Sequence, residues 1–519
     1  MNKAEKSDQF DLEALRKQVS DINRRTEEAD EEVRREPINT YARQIAEQFS
    51  AGNRSPAIII GQFRLFEFAS QFLIGLLAFP LWPGNGAETL SGRGITAAIV
   101  AVLLVCALQT ADTYSIPALR ARMRLLPRVL AVWTSVFLVV IAGSAFCGNV
   151  GLGQAPAYLA WFVTGAIFLL AARFLIAYGI RNWSRNGIME RRAVIVGGGE
   201  PAKNLIRVLE QQADNDIRIC GIFDDRGEKR SPIMVAGYPK LGTVAELVEF
   251  VRITRIDMLI ISLPLSAEAR ILQLLKKLWV LPVDIRLAAH ANRLRFRPRA
   301  YSRIGSVPML DIFNKPIRDW DSVAKRCFDI FFTLLSLALL WPIMLATAIA
   351  IKSTSKGPVF FMQNRHGFNN EIINIFKFRS MYADKGDPTG RAAVTKGDPR
   401  VTPVGRFIRK SSIDELPQLF NVLKGDLSLV GPRPHAILAQ ARDRAFGDVV
   451  EGYFARHRVK PGVTGWAQIN GWRGEVDHDD KIKFRTAYDL YYIENWSLWF
   501  DLKILFLTPF RLFNTENAY

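Results

Sequence analysis

Cysteine and histidine are both scarce in this chain. The four cysteines, Cys106, Cys147, Cys220 and Cys327, are scattered through apolar surroundings at no metal-type spacing. That excludes a disulfide framework and a cysteine zinc site, and they read as small buried hydrophobes in a reducing compartment. The five histidines, His290, His366, His435, His457 and His478, show no metal spacing either, and none is assigned to catalysis. No secretory signal precedes the first apolar segment, which begins after about sixty polar residues. No nucleic-acid-binding module is recognisable, so the net charge of +18 fits anionic lipid or an anionic substrate better than nucleic acid.

What the chain has in quantity is apolar sequence. At 519 residues and 49% hydrophobic content it is long enough for two or three domains and too apolar for an ordinary soluble one. Four runs are long enough to span a bilayer: Phe63–Trp82, Ile95–Asp112, Val129–Val150 and Tyr158–Ile180. The first is the weakest, because it carries Arg64 and Glu67. Arg120, Arg122, Arg124 and Arg128 between the second and third runs set the orientation, as do Arg181, Arg185, Arg191 and Arg192 after the fourth. By the positive-inside rule both ends of this bundle face the cytoplasm. Residues 1–60 read as a cytoplasmic tail, with Leu12, Leu15, Val19 and Ile22 at helical spacing in front of an acidic linker, and residues 61–182 as the bundle.

Residues 190–300 change to an α/β pattern. Strands are expected at Ala193–Val196, Ile217–Phe223 and Met258–Leu263, with helices between them, which is a parallel βαβ arrangement of mononucleotide-binding, Rossmann-like type. Gly197, Gly199 and Ala202 match G-x-G-x-x-A, and Asp224 stands at the spacing of a ribose-binding acid. Cofactor binding through Gly197, Gly199 and Asp224 competes with a regulatory or structural role, because only one mononucleotide half is present. Arg286, Arg293, Arg295, Arg297, Arg299 and Arg303 form a basic stretch suited to lipid headgroups, or a solvated loop.

A fifth apolar run, Ile330–Ile351, is uncharged over its length, but Lys325 and Arg326 precede it and Lys352 and Lys356 follow it. Both ends therefore prefer the cytoplasm. Trp341-Pro342 at its middle predicts a re-entrant helix over 328–352 that turns at Pro342, with a kinked transmembrane helix as the alternative.

The densest chemistry follows in residues 320–519. Ser412-Ile413-Asp414-Glu415 fits an S-x-x-E capping box, and a first-turn carboxylate that feels a helix dipole stays ionised. Asp414 is then an available nucleophile toward phosphorus, and Glu415 can hold a magnesium ion on a diphosphate. Lys377 and Arg379 alternate along an expected strand and so point to one side, where they can neutralise phosphate oxygens. Arg433, fixed between Pro432 and Pro434, suits planar recognition of phosphate or base. Arg409 and Asp489 are further candidates, with salt bridging as their alternative. Tyr491, Tyr492, Trp496, Trp499 and Phe500 make either an interfacial aromatic face or a core stripe.

Several ordered motifs carry a resemblance to a family. They are Gln363, Arg365 and Gly367, Phe376–Met381 with Asp384, Ser412–Gln418, Leu429–Pro434, Lys460–Trp466 and Asp489–Ser497. From about Ser322 onward the chain resembles the catalytic domain of bacterial polyprenyl-phosphate hexose-1-phosphate transferases. Its long members, the undecaprenyl-phosphate glucose or galactose phosphotransferases, are similar in architecture. The resemblance implies a multidomain membrane protein: a four-helix transmembrane bundle, a Rossmann-like domain and an α+β catalytic domain with a re-entrant helix. It further implies Asp414 as nucleophile, Glu415 supporting Mg2+ (or Mn2+) with Asp489 as a second candidate ligand, and the proline-arginine-proline loop binding nucleotide. The substrates implied are a UDP-hexose, glucose before galactose, and undecaprenyl phosphate, at the cytoplasmic face of a bacterial inner membrane in exopolysaccharide synthesis. A homodimer is also expected. Two other classes stay open: an NAD-dependent dehydrogenase or epimerase using Gly197–Gly199, and a non-catalytic export scaffold.

Overall fold

A computed structural model describes residues 38–49, 55–78, 90–114, 118–119, 125–146, 155–185, 190–211, 217–227, 232–288, 301–304, 307–382, 398–435, 440–441, 444–450, 452–472, 474 and 479–512. The amphipathic helix expected at Leu12–Ile22, Arg120, Arg122, Arg124, Cys147, His290, Arg293, Arg295, Arg297, Arg299, Asp384 and His478 lie outside the described residues. The chain divides into a membrane unit, 51–191, and a unit holding most of the remainder.

The membrane unit consists of α2 (Pro56–Ala78), α3 (Leu90–Thr110), α4 (Leu126–Phe146) and α5 (Ala155–Arg185), which follow α1 (Thr40–Gln48). Small residues let the helices approach: a Cβ on Gly75 would stand 2.4 Å from the Trp161 ring, and one on Gly165 2.6 Å from Trp133. Trp133, Trp161 and Leu104 are buried inside, whereas Leu138, Val139, Leu159, Ile167 and Leu175 face outward. Such an apolar exterior belongs in lipid. Helix α2 starts seven residues before the expected span. Pro56 occupies its first position, where the missing N–H is no loss. Arg64 and Glu67 do not interrupt it, because Glu67 is paired with Arg173 of α5.

In the second unit α1 is the first surprise, since residues 1–60 read as a tail. Asn39 caps α1 by accepting from Ala42 N at 2.7 Å, and its amide donates to Leu241 O at 2.7 Å. Ala42 and Ala46 are buried in the α/β core. That core surrounds an eight-stranded sheet of order β3-β4-β2-β1-β5-β6-β8-β7. Its strands are β1 (Arg191–Val196), β2 (Ile217–Phe223), β3 (Met234–Val235), β4 (Tyr238–Gly242), β5 (Met258–Ile261), β6 (Asp284–Ala288), β7 (Tyr301–Ile304) and β8 (Val307–Phe313). Strands β1, β5 and β6 run parallel, as the βαβ pattern requires, and β8 adds antiparallel to β6. The sheet therefore runs on to Phe313, past the expected boundary at 300. The intervening helices are α6 (Glu200–Glu210), α7 (Val244–Ile253) and α8 (Glu268–Leu278).

The C-terminal part opens with α9 (Asp319–Thr354), a continuous helix that includes Pro342. It begins nine residues before the expected 328 and is not broken at Pro342. At 1.5 Å per residue it is about 54 Å long, well beyond a hydrocarbon core of about 30 Å. Its two ends are anchored on one domain. Near the start, Lys325 Nζ donates to Val430 O at 3.1 Å and pairs with Asp501 at 2.7 Å, while Asp329 accepts from Leu429 N at 3.1 Å. Near the end, Met344 and Ile351 pack with Phe378 and Ile408. Between these anchors Phe331, Leu335, Leu339 and Trp341 are exposed, Leu339 at 75%.

Behind α9 come the antiparallel hairpin β9 (Phe360–His366) and β10 (Ile372–Phe378), then α10 (Pro403–Lys410), α11 (Gln418–Lys424) and β11 (Ser428–Val430). Strand β12 (Gly462–Thr464) pairs parallel with β11, and α12 (Asp479–Glu494) and α13 (Leu498–Leu512) close the unit. The C-terminal aromatic residues divide between the two expected roles. Tyr492 is core, while Tyr491 and Trp499 are exposed.

Candidate active site

The Ser412–Glu415 segment does not form the expected capping box. Ser412 takes a left-handed φ of 58° with no side-chain cap, and Ile413–Glu415 is a single 3-10 turn. Its geometry is set by α11 behind it. Asn421 of α11 accepts from Phe376 N at 2.9 Å and donates to Asn374 O at 2.7 Å, which pins that helix to β10. Lys377 of β10 thereby reaches the dyad, with Nζ donating to Glu415 Oε1 at 3.1 Å. Arg433 also reaches Glu415, donating Nη1 to Oε2 at 3.1 Å and Nη2 to Oε1.

Glu415 is thus held by two cations, and Asp414 is not. No hydrogen bond is formed by the Asp414 carboxylate among the described residues. Burial pushes its pKa up to about 6, opposed by Lys377 and assisted by the neighbouring charge of Glu415. This corrects the expectation that a helix dipole keeps Asp414 strongly acidic: no α-helix begins there. Arg409 stands near enough to favour the charged form of Asp414.

The Pro432-Arg433-Pro434 loop owes its place to glycine. A Cβ on Gly462 would lie 2.1 Å from Gly431 N, and one on Gly431 2.6 Å from Lys460 O. Gly431 N donates to Thr464 O and Gly462 N to Pro432 O, both at 2.9 Å. Two side chains then grip the loop's carbonyls: Arg365 Nη1 donates to Pro434 O and Arg456 Nη2 to Arg433 O, each at 2.7 Å.

Three expected site residues turn out differently placed. Arg379 lies past the end of β10, buried, and donates to Lys356 O at 2.7 Å and Ser355 O at 2.9 Å. It ties the chain just after α9 and does not share the side of Lys377. Arg379→Ala is expected to cost on the order of 2 kcal/mol of stability while leaving KM for the donor unchanged. Chemical unfolding alongside steady-state kinetics checks this. Asp489 is also buried, accepting from Arg456 Nη2 at 2.6 Å, and so does not join the dyad. Asp224 accepts from Gly198 N at 2.7 Å and pairs with Arg226 at 2.7 Å. The carboxylate that a cofactor ribose would need is committed to the glycine loop itself.

Residues with no earlier role complete the site. Arg365, Arg456 and Arg485 join Lys377, Arg409 and Arg433, giving six cations against Asp414, Glu415 and Asp489. The surplus suits a doubly charged diphosphate. His435, beside Tyr453 and Arg456, is held neutral by burial and by the arginines around it. Arg456 was legible only as one basic residue among many, since its partners come from segments far away in the sequence.

No cluster of three or more histidine, cysteine, aspartate or glutamate side chains forms a metal cage among the described residues. Magnesium takes one or two carboxylates together with substrate phosphate oxygens and water. Glu415 Oε1 accepts from Lys377 and Arg433 and Oε2 from Arg433, so Glu415 would hold a metal only if an entering diphosphate drew one of these cations away. Asp489, spent on Arg456, does not fit as its second ligand.

Comparison with known proteins matches residues 320–515 to a bacterial sugar transferase domain and residues 109–289 to a CoA-binding domain. The chain is 38% identical over 360 residues to an undecaprenyl-phosphate glucose phosphotransferase of Komagataeibacter xylinus, covering 69% of this chain and 66% of that one. It is 38% identical over 362 residues to a UDP-glucose:undecaprenyl-phosphate glucose-1-phosphate transferase of Xanthomonas campestris pv. campestris, covering 69% and 74%. An undecaprenyl-phosphate galactose phosphotransferase of Salmonella typhimurium is 39% identical over 227 residues, covering 41% and 45%.

Proposed function

Since the chain belongs to the bacterial sugar transferases of the undecaprenyl-phosphate hexose phosphotransferase family, we propose that it moves hexose-1-phosphate from a UDP-sugar to undecaprenyl phosphate through an aspartyl intermediate. An Asp414 oxygen attacks the sugar-bearing phosphorus, the bond to the bridging oxygen breaks, and UMP leaves. An oxygen of undecaprenyl phosphate then attacks the acyl phosphate, which frees the Asp414 carboxylate and forms undecaprenyl-diphospho-hexose. The observation that carries this reading is the asymmetry of the dyad: Glu415 is held by Lys377 and Arg433, and Asp414 lacks a hydrogen-bond partner among the described residues.

The other residues act by charge and position. Lys377 and Arg433 stand where phosphate charge develops, Arg365 and Arg456 hold the loop carrying Arg433, and Arg409 favours the ionised nucleophile. A magnesium ion held by Glu415, when bound, supplies charge neutralisation of the diphosphate. Glucose is the proposed sugar, from the names of the two relatives aligned over most of this chain, and galactose is the runner-up. The chemistry is assigned to the cytoplasmic face of the inner membrane, in exopolysaccharide synthesis. The proposal that α9 enters and leaves on one face rests on the cations at both its ends, Lys325 and Arg326 before the apolar run and Lys352 and Lys356 after it, with Pro342 lying inside an unbroken helix.

Nucleotide release from purified protein given magnesium, undecaprenyl phosphate and UDP-glucose or UDP-galactose tests the proposal. UMP is expected, with UDP-glucose the faster donor; release of UDP would mean transfer of sugar without its phosphate and would sink the reading. The pH profile follows from Asp414. Its protonated form cannot attack, so kcat/KM is expected to rise about tenfold per pH unit below about 6 and to level off above it. A profile flat from pH 5 to 8 would contradict the assignment of Asp414.

A further inference from the structure

The membrane unit contains a charge cluster with no part in phosphosugar transfer. Helix α2 contributes Arg64 and Glu67, α5 contributes Arg173, and Thr113 and Tyr114 follow the end of α3. Glu67 is wholly buried. It accepts from Arg173 Nε at 2.8 Å, from Arg173 Nη2 at 3.0 Å and from the Tyr114 hydroxyl at 2.5 Å. Arg173 Nη1 also donates to Thr113 O at 2.8 Å. The carboxylate is therefore fully engaged by Arg173 and Tyr114.

Arg64 is left over. Its guanidinium lies 4.9 Å from the centre of the Tyr114 ring, and that of Arg173 lies 4.8 Å from the same ring. Arg64 Nε is buried without a hydrogen-bond partner, and no carboxylate pairs with Arg64 among the described residues. The cluster thus holds two guanidiniums and one carboxylate, which is taken by Arg173, an excess of positive charge that favours a further anion at Arg64. Tyr114 lies close in sequence to Arg120, Arg122 and Arg124, and Arg64 is about 12 Å along α2 from Pro56. By the positive-inside rule this is the level of cytoplasmic headgroups. The neighbouring Leu65 and Phe66 are exposed, so this part of α2 faces lipid.

We propose that Arg64 is the centre of a binding site for a lipid-borne phosphate in the membrane unit. The planar guanidinium fork, oriented by Tyr114, matches phosphate oxygens, and the lipid's negative charge balances the cluster. The ligand is either an anionic phospholipid or a polyprenyl phosphate, which present the same chemistry. This inference stands independently of the transfer reaction.

The test uses the full chain, stripped of lipid in neutral detergent and titrated with phosphatidylglycerol, undecaprenyl phosphate or zwitterionic phosphatidylcholine while thermal unfolding is followed. The anionic lipids are expected to raise the midpoint of the wild type and of a control, Arg128→Gln on exposed α4 surface, while phosphatidylcholine is not. Arg64→Gln should weaken half-saturation by roughly ten- to a hundredfold. Before lipid is added, that variant should be at least as stable as the wild type, because an uncompensated charge has gone. A response to undecaprenyl phosphate alone would identify the polyprenyl source, and a response to both would identify lipid phosphate in general. An unchanged titration in Arg64→Gln, or no preference for anionic lipid in the wild type, would overturn the proposal. If Arg64→Gln does not fold, Arg64→Lys serves: it should keep the preference at weaker affinity, and undiminished affinity would count against the guanidinium fork.

Discussion

Asp414→Asn is expected to reduce UMP release by roughly 10^4-fold or more, with KM for the donor and the unfolding midpoint little changed. The expected size reflects loss of the attacking oxygen: an amide is a poor nucleophile toward phosphorus, and water would have to replace it. The preserved fold follows from the surroundings of Asp414, whose carboxylate supports no hydrogen bond among the described residues. Glu415→Gln should behave differently, since it removes the charge that holds Lys377 and Arg433. Trapping radiolabelled phosphosugar on the protein separates the two. Wild type should become labelled and Asp414→Asn should not, and labelling of Asp414→Asn would disprove the nucleophile.

Gly462→Ala is expected to be severely damaging, costing on the order of 4 kcal/mol and eliminating activity. The added carbon would stand 2.1 Å from Gly431 N and 2.5 Å from Thr464 O. Both are backbone atoms of the β11–β12 pairing that cannot swing aside. The strands must separate, and the loop carrying Arg433 moves with them. Gly471→Ala provides the comparison, because nothing lies within 4 Å of its added carbon, although its φ of +90° carries some strain. Urea unfolding of both variants decides the matter, and a loss in Gly462→Ala no larger than that in Gly471→Ala would contradict the close approach, since Gly462 itself has no left-handed φ.

Much of the site was legible because its motifs are contiguous. Asp414-Glu415 and Pro432-Arg433-Pro434 each stand within a few residues, and their proximity to Lys377 follows once β10 and α11 are joined through Asn421. Arg379 departs from its expected side, while Lys377 reaches the dyad, for a single reason. Alternation along a strand predicts a shared side only while the strand continues, and β10 ends at Phe378. Asp489 reads as an acid near the C-terminus, and nothing local reveals that Arg456 lies against it.

The apolar helices, the parallel βαβ core and the adjacent Asp414-Glu415 pair can all be read along the chain. Each rests on hydrophobic period, run length or residues adjacent in the chain, which act locally whatever the remainder does. Long-range packing settles the rest: Glu415 is bound while Asp414 has no hydrogen-bond partner among the described residues, Arg379 secures the chain after α9, residues 40–48 pack on the sheet, and Glu67 is held in the bundle by Arg173. A buried charge takes whichever opposite charge or hydrogen-bonding group folding brings within about 3 Å, and that choice is set by segments far apart in the sequence.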